Sequence, residues 1–479
     1  MEMIIAIALI LLIILGILLD ATDRINLVNK YFLAIYMLIY PNIIVFFSLT
    51  KEFIGSGVSS ESYVLLFILM IAGTVYMFAR INLFPYTEKK DAGIRLNIMY
   101  GGRVIIYCGL YAFAMQFIII FGFYGKLVDI GIGDVKIISS IVFSIVSILL
   151  LLANGILRIF FTSYRLGIKN RIIMLVTAWI PVVNLIVLIN ACRMVYEEFD
   201  FEYQRIIMKK IRINSDICKT KYPLLMVHGL GFRDLKYFNY WGRIPAAIIE
   251  NGGTVHYGHQ EAFGTVLDNA KLIKDKVMEV IETTGAEKVN IIAHSKGGLD
   301  SRYAISMFGL DEYVASLTTI NTPHRGCKIV DHACKLPDKF YRFVANQYDR
   351  MFKRIGDDNP DFYSATRHLS TEALEKFNEV IKDSDKVYYQ SYASKMKNMF
   401  SDGILFLTYS FIRILEGEND GLVAIGSAKW GEFQGVFRND SLTGVSHGDI
   451  IDLKRKDYVG FDVREEYVNI VSELKIKGF

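Results

Sequence analysis

The chain is poor in residues that build covalent or metal scaffolds. It has five cysteines in 479 residues: Cys108, Cys192, Cys218, Cys327 and Cys334. Their spacings fit neither a zinc ribbon nor a disulfide framework. Cys327 and Cys334 could pair if close, but free buried thiols are the simpler expectation. The chain also has little charge of either sign in excess. Lys and Arg number 53, Asp and Glu 49, for a net charge of +4, so no nucleic-acid partner is expected. Charge is absent altogether from six long stretches: 3–19, 31–49, 63–79, 104–124, 137–157 and 172–191.

Those stretches are where the apolar residues concentrate. Hydrophobic residues make up 53% of the chain and mean hydropathy is +0.33. The excess lies before about residue 192, and ordinary globular polarity follows, so two domains are expected. A bilayer-spanning helix needs roughly 20 mostly apolar residues, and the six stretches read as six spans of an all-α transmembrane domain, 1–192. The first has Glu2 in place of a basic start and no small-residue cleavage site, so it reads as an uncleaved span. Pro41 and Pro181 fall inside segments, where spanning helices tolerate a kink. Asn42, Gln116, Asn154 and Asn184 read as glue between helices.

Arg and Lys are richer in the loops after the first, third and fifth spans, including Arg24, Lys30, Lys89, Lys90, Arg158 and Arg165. That side should be cytoplasmic. A multi-pass cell-membrane protein results, with everything after residue 192 extracytoplasmic. No span carries a charge of the kind that marks ion paths, so the expected role is an anchor or lipid-facing platform. Oligomeric state is not legible.

A juxtamembrane linker is expected over 193–220, with "DFEYQRIIMKKIRI" as a helix. From 221 to 479 the pattern becomes strand, loop and helix. "YPLLMVHG", "GGTVHYGH", "KVNIIAHS" and "VASLTTINTP" read as strands. Val266, Ala270, Ile273, Val277 and Ile281 recur at helical spacing, and Gly285 stands where a C-terminal cap belongs. Alternating strands and helices imply a mostly parallel sheet covered on both faces, which binds ligands at the carboxyl ends of its strands.

Ser295, in "IIAHSKGGLDSRY", lies where a buried strand meets a helix. Such a turn is sharp, and residues two before and two after the serine must be small. Ala293 and Gly297 meet that need. A serine hydroxyl is a weak nucleophile; it needs a histidine base that a carboxylate orients. On this kind of sheet the order is Ser, Asp, His. Downstream stand Asp420 in "ENDGLVAIG" and His447 in "GVSHGDIID", the only histidine beyond that acid. The oxyanion of the tetrahedral intermediate needs backbone donors. The Lys296 N–H follows the nucleophile, and "VHGLGFRD" supplies the Leu230 N–H, with His228 orienting the loop. His256 and His259 stand three apart without an acid or Cys cluster, so they are not expected to hold metal. Asp300 and Arg302 read as structural ion pairs.

"YPLLMVHGLGF", "KVNIIAHSKGG", "SRYA", "TPHRG", "NDGLV" and the late "HGD" together resemble bacterial triacylglycerol lipases of the α/β-hydrolase fold, from about Tyr222 to the C-terminus. The resemblance implies Ser295 as nucleophile, Asp420 as acid, His447 as base, and Leu230 and Lys296 as oxyanion donors. It implies a cap or lid over about 327–411. The stretch "ILFLTYSFIRIL", 404–415, is by its residues apolar enough to touch lipid or line an acyl groove, or to be a buried segment of the cap. It also brings in a structural calcium near the histidine loop. Asp449 matches one carboxylate of that site; Leu453 falls near an amide ligand and cannot coordinate, leaving Asp452 as a substitute. Two oxygens fall short of the six or so a hard cation needs, so no cofactor is expected to be required. The reading is a membrane-embedded serine ester hydrolase acting on lipid esters. An acyltransferase on the same triad, or a lipid-handling membrane protein with a secondary hydrolase domain, stands as the alternative.

Overall fold

The computed structural model describes residues 36, 39–54, 60–83, 89–212, 216–231, 240–458 and 460–479. The expected first span, the start of the second, and Arg24 and Lys30 lie outside the described residues. The chain divides into two compact units, Met1–Lys210 and Ile211–Phe479.

The described part of the first unit is helical: Ile43–Ile54, Ser60–Leu83, Gly93–Asp129, Asp134–Thr162, Gly167–Thr177 and Pro181–Ile211. Two of these, Gly93–Asp129 and Asp134–Thr162, are long and apolar enough to cross a membrane. They approach each other through glycine. A Cβ on Gly102 would lie 2.8 Å from the Gly155 carbonyl oxygen, and one on Gly155 equally close to that of Gly102. Small residues let apolar helices gain dispersion contacts without a solvent-driven force. Asn154 adds a polar tie, donating to the Asn82 side chain at 2.8 Å.

The stretch 172–191 is not one helix. The chain breaks at Ala178–Ile180, and Pro181 starts the next helix. Proline lacks an N–H and suits the first turn of a helix better than its interior. With no Gly or Pro from 182 to 211, the new helix runs unbroken through position 192 and the expected linker helix.

The second unit is built on a six-stranded sheet of order β2-β1-β3-β4-β5-β6. The strands are β1 Leu224–Val227, β2 Val255–Tyr257, β3 Val289–His294, β4 Val314–Ile320, β5 Tyr388–Ser394 and β6 Glu432–Phe437. Every pairing is parallel. The residue pattern does not mark β6 as a strand, because its residues are half-exposed at the sheet edge.

Because side chains alternate along a strand, a sheet buried on both faces carries two cores. Leu224, Met226 and Ile292 pack on one face with Trp241, Ile248, Tyr467 and Val471. Leu225, Val227, Ile291 and Ala293 pack on the other with Ile273, Val277 and Ile305. The helices Ile244–Glu250 and Val463–Ile476 therefore cover the first face, and Val266–Thr284 and Lys296–Met307 the second. The helix Val266–Thr284 starts on the Thr265 side chain, which accepts from the Asp268 N–H. It ends on Gly285 in the left-handed region, as such caps require. The segment 327–411 is not one block. It holds the helices Lys328–Cys334, Asp338–Ile355, Phe362–Arg367 and Thr371–Val380, then returns to the sheet as β5 before the helix Phe406–Leu415.

Candidate active site

Ser295 stands at the C-terminal end of β3 and immediately before the helix Lys296–Met307, with φ 53° and ψ −131°. For a residue with a side chain this backbone costs about 1–3 kcal/mol, and the surroundings hold it there. The Ser295 N–H bonds the Ile320 carbonyl at 3.0 Å. A Cβ on Gly297 would lie 2.3 Å from the His228 carbonyl oxygen, and one on Gly298 2.2 Å from the Thr322 hydroxyl. The expected need for a small residue after the serine is thus a contact with the chain leaving β1 and β4. Ala293, two residues before, is fully buried and its methyl is accommodated.

The loop after β1 passes directly over the serine. A Cβ on Gly229 would meet the Ser295 Cβ at 2.7 Å, so only glycine lets the chain leaving β1 pass this close to the serine. His228 is buried, with its ring nitrogens 2.8 Å from the Gly229 carbonyl and 2.9 Å from that of Gln260, which suits a residue that shapes the loop. Lys296 begins the helix, so its N–H has no acceptor one turn back. Its side chain is turned into the core, where Nζ lies 2.7 and 2.9 Å from the two oxygens of Asp300. Arg302 pairs with Asp383 at 3.1 Å. Asp300 and Arg302 are both structural ion-pair members.

The two downstream residues meet each other. His447 Nδ1 lies 2.6 Å from Asp420 Oδ2. Asp420 is buried, and its other oxygen accepts the N–H groups of Leu422 and Val423 at 2.9 and 2.7 Å. The His447 ring lies 4.5 Å from that of His294, the residue before Ser295. A buried carboxylate that is fully bonded and holds a ring nitrogen fixes the tautomer and orientation of that histidine.

No family model matches the chain. Triacylglycerol lipase 2 of Saccharomyces cerevisiae is 30% identical over 273 residues, covering 51% of this chain and 78% of that protein. The chain belongs to the triacylglycerol lipase family. A triacylglycerol lipase of Pseudarthrobacter phenanthrenivorans is 38% identical over 173 residues, 33% of this chain and 53% of that protein. The chain thus spans only about half of that bacterial relative. The crystal structure of the mature Bacillus licheniformis lipase BlEst2 superposes with a TM-score of 0.39 at 23% identity, covering 49% of this chain and 88% of that one. As a member of this lipase family the chain is an ester hydrolase of α/β fold.

Two features of the lipase domain are not legible in the sequence. Tyr240, whose hydroxyl lies 2.6 Å from His294 Nδ1, is 54 residues away along the chain and belongs to no motif. Burial, and then the neighbouring His447, push His294 well below the ordinary histidine range; it is a neutral ring between the Ser295 turn and His447. The second feature surrounds Asp449. This carboxylate accepts from the Tyr458 hydroxyl at 2.6 Å and the Ser446 N–H at 3.0 Å. Asp452 is engaged elsewhere, by the Arg243 N–H, Nε and a terminal guanidinium nitrogen, each at 2.8 Å. The two candidate calcium ligands thus bind different partners. Among the described residues no three His, Cys, Asp or Glu side chains gather as a metal site. The cysteines, all described, are free.

Proposed function

We propose that the chain is a membrane-anchored lipase that cleaves carboxylic esters of lipids through an acyl-enzyme on Ser295. The observation that carries this reading is the His447–Asp420 pair at 2.6 Å, with the His447 ring against His294 at the elbow. Ser295 Oγ attacks the ester carbonyl while His447 Nε2 takes its proton. Asp420 holds the other ring nitrogen and stabilises the imidazolium. The Leu230 and Lys296 N–H groups receive the oxyanion. The intermediate collapses, the C–O bond to the alcohol breaks, and His447 returns the proton to the leaving oxygen. Water, deprotonated by the same ring, then releases the fatty acid and restores the serine.

A lipid substrate is supported by the cap. The helix Phe406–Leu415 buries Tyr409 and Ile412, while Ile404, Leu407, Phe411 and Ile414 are 86%, 61%, 56% and 84% exposed. An apolar row on this scale is costly in water and suits contact with a bilayer or an acyl chain. The two apolar helices of the first unit support a multi-pass anchor in the cell membrane; an extracytoplasmic lipase domain follows from the basic loops with one further crossing after Arg165, carried by the helices Gly167–Thr177 and Pro181–Ile211.

The test is labelling of the intact protein in membranes with a fluorophosphonate. The wild-type chain takes the label and hydrolyses long-chain acylglycerol; Ser295→Ala does neither. Equal labelling of the variant would sink the assignment. Protease added to sealed cells, cleaving the domain from outside, tests the orientation.

A further inference from the structure

Two buried carboxylates flank the turn that carries His447. Asp402 and Asp449 are 4% and 3% exposed, and both bind Ser446, the residue before the histidine. The Ser446 hydroxyl donates to Asp402 Oδ2 at 3.0 Å, and the Ser446 N–H donates to Asp449 Oδ2 at 3.0 Å. Two negative charges held out of water on either side of one residue repel each other, and an uncompensated buried charge costs several kcal/mol. The site needs a cation.

The chain supplies its own. Lys454 Nζ lies 2.5 Å from Asp402 Oδ2 and 3.3 Å from Asp449 Oδ1. Its stem is delivered by a tight turn: the Leu453 N–H bonds the Gly448 carbonyl at 3.0 Å, and Asp452 takes a left-handed φ of 58°. Burial opposes the charge on Asp402 and Lys454 alike. Even so, Lys454 holds the Asp402 carboxyl below its usual range, and Asp449 and Asp402 hold the ammonium above its own.

The family resemblance implies a calcium ion near this loop, and these residues do not fit one. A calcium ion takes six to eight oxygens at about 2.3–2.6 Å. Here an ammonium contacts both carboxylates, Tyr458 and Ser446 donate to Asp449, and Asp452 is held by Arg243. We propose that Lys454 is a positioning residue of the lipase, a tethered cation that holds Asp402 and Asp449 about Ser446 and so keeps His447 on Asp420 without a divalent metal. This rests on His447 acting as the base.

The experiment uses the full chain in detergent and a soluble short-chain ester. The wild type keeps its kcat and melting temperature in excess EDTA, and added calcium chloride changes neither. Lys454→Met loses kcat by about tenfold to a hundredfold, the scale of a misplaced catalytic group, with KM within about twofold. Removing one carboxylate as well, in Lys454→Met/Asp402→Asn, restores most of that loss, because one buried charge no longer lacks a partner. If Lys454→Met does not fold, the double variant carries the test and must fold and turn over. A wild type that EDTA inactivates and calcium restores would overturn the proposal. So would a fully active Lys454→Met, or a loss that Asp402→Asn does not relieve. His447→Ala, run in parallel, separates the two readings: if it stays active, the base assignment has failed instead.

Discussion

His447 and Asp420 are tied twice. The ring Nδ1 lies 2.6 Å from the carboxylate Oδ2, and the His447 backbone N–H bonds the Asp420 carbonyl oxygen at 2.9 Å. The second bond fixes the distance between the two loops, so the first does not depend on side-chain rotamers alone. With the Leu422 and Val423 N–H groups on the other carboxylate oxygen, Asp420 has no freedom to turn away.

Asp420→Asn tests this arrangement. The amide keeps the shape but favours the wrong histidine tautomer, and the expected fall in kcat is about 10⁴-fold. Steady-state kinetics on a soluble ester read it, with thermal melting as the control for folding. A fall of less than tenfold would contradict the role given to this carboxylate.

Gly297→Ala puts a methyl 2.3 Å from the His228 carbonyl oxygen, which is backbone and has no rotamer to yield. Overpacking of this kind costs about 1–3 kcal/mol, and the strained elbow has to absorb it. The urea midpoint falls, and so does kcat. Ala293→Gly, by contrast, only removes a methyl that is already accommodated, and activity is retained.

Tyr240→Phe removes the hydroxyl that lies 2.6 Å from His294 Nδ1 and leaves a buried ring nitrogen without that partner. The stability loss is about 1–3 kcal/mol, measured by equilibrium unfolding. The kcat loss is a few-fold, far below that of Asp420→Asn, because His294 only packs against the His447 ring and, buried and neutral, takes no proton from substrate.

Stability depends on pH through buried histidines. Burial pushes His294 and His324 well below the usual range and His368 to about 4. Their native forms are neutral. Below the unfolded value of about 6.5 the unfolded chain binds protons that the native chain does not, so stability falls as pH falls. For His368 the loss runs from about 6.5 down to about 4. Each such histidine adds a slope near 1.4 kcal/mol per pH unit within its window. Urea midpoints between pH 7 and pH 5, above most carboxylate titration, measure it; a flat profile there would refute the assignment.

The exposed row on the helix Phe406–Leu415 separates two substrates. Leu407→Ser/Ile414→Ser removes apolar surface worth about 1.5–3 kcal/mol per side chain when buried against lipid. Hydrolysis of emulsified long-chain acylglycerol falls at least about tenfold, while kcat/KM on a soluble short-chain ester stays near the wild-type value. Equal loss on both substrates would place the row in the fold of the cap.

Much of the lipase domain is legible in the order of its residues. The strands β1 to β4 are short apolar or alternating runs between turn residues, and local pattern suffices to place them. The elbow is legible for the same reason: Ala293, Ser295 and Gly297 answer a local steric demand. The edge strand β6 is not, since its half-exposed residues carry no clear period. The break at Ala178–Ile180 is half-legible. Pro181 marks it, but an apolar run with a proline reads equally as a kinked span or as two helices.

Residue type and spacing encode the order of the elements and single out the strand–helix turn at Ser295, Asp420 and His447. Which side chains, tens of positions apart, share a buried space is a matter for the folded chain. Folding sets Tyr240 on His294, and it sets Lys454 between Asp402 and Asp449, where spacing offers only Asp449 and Asp452. Asp452 stands three residues from Asp449, yet Arg243, more than 200 residues upstream, is what it binds. Burial gives a charge its partner, and burial belongs to the fold.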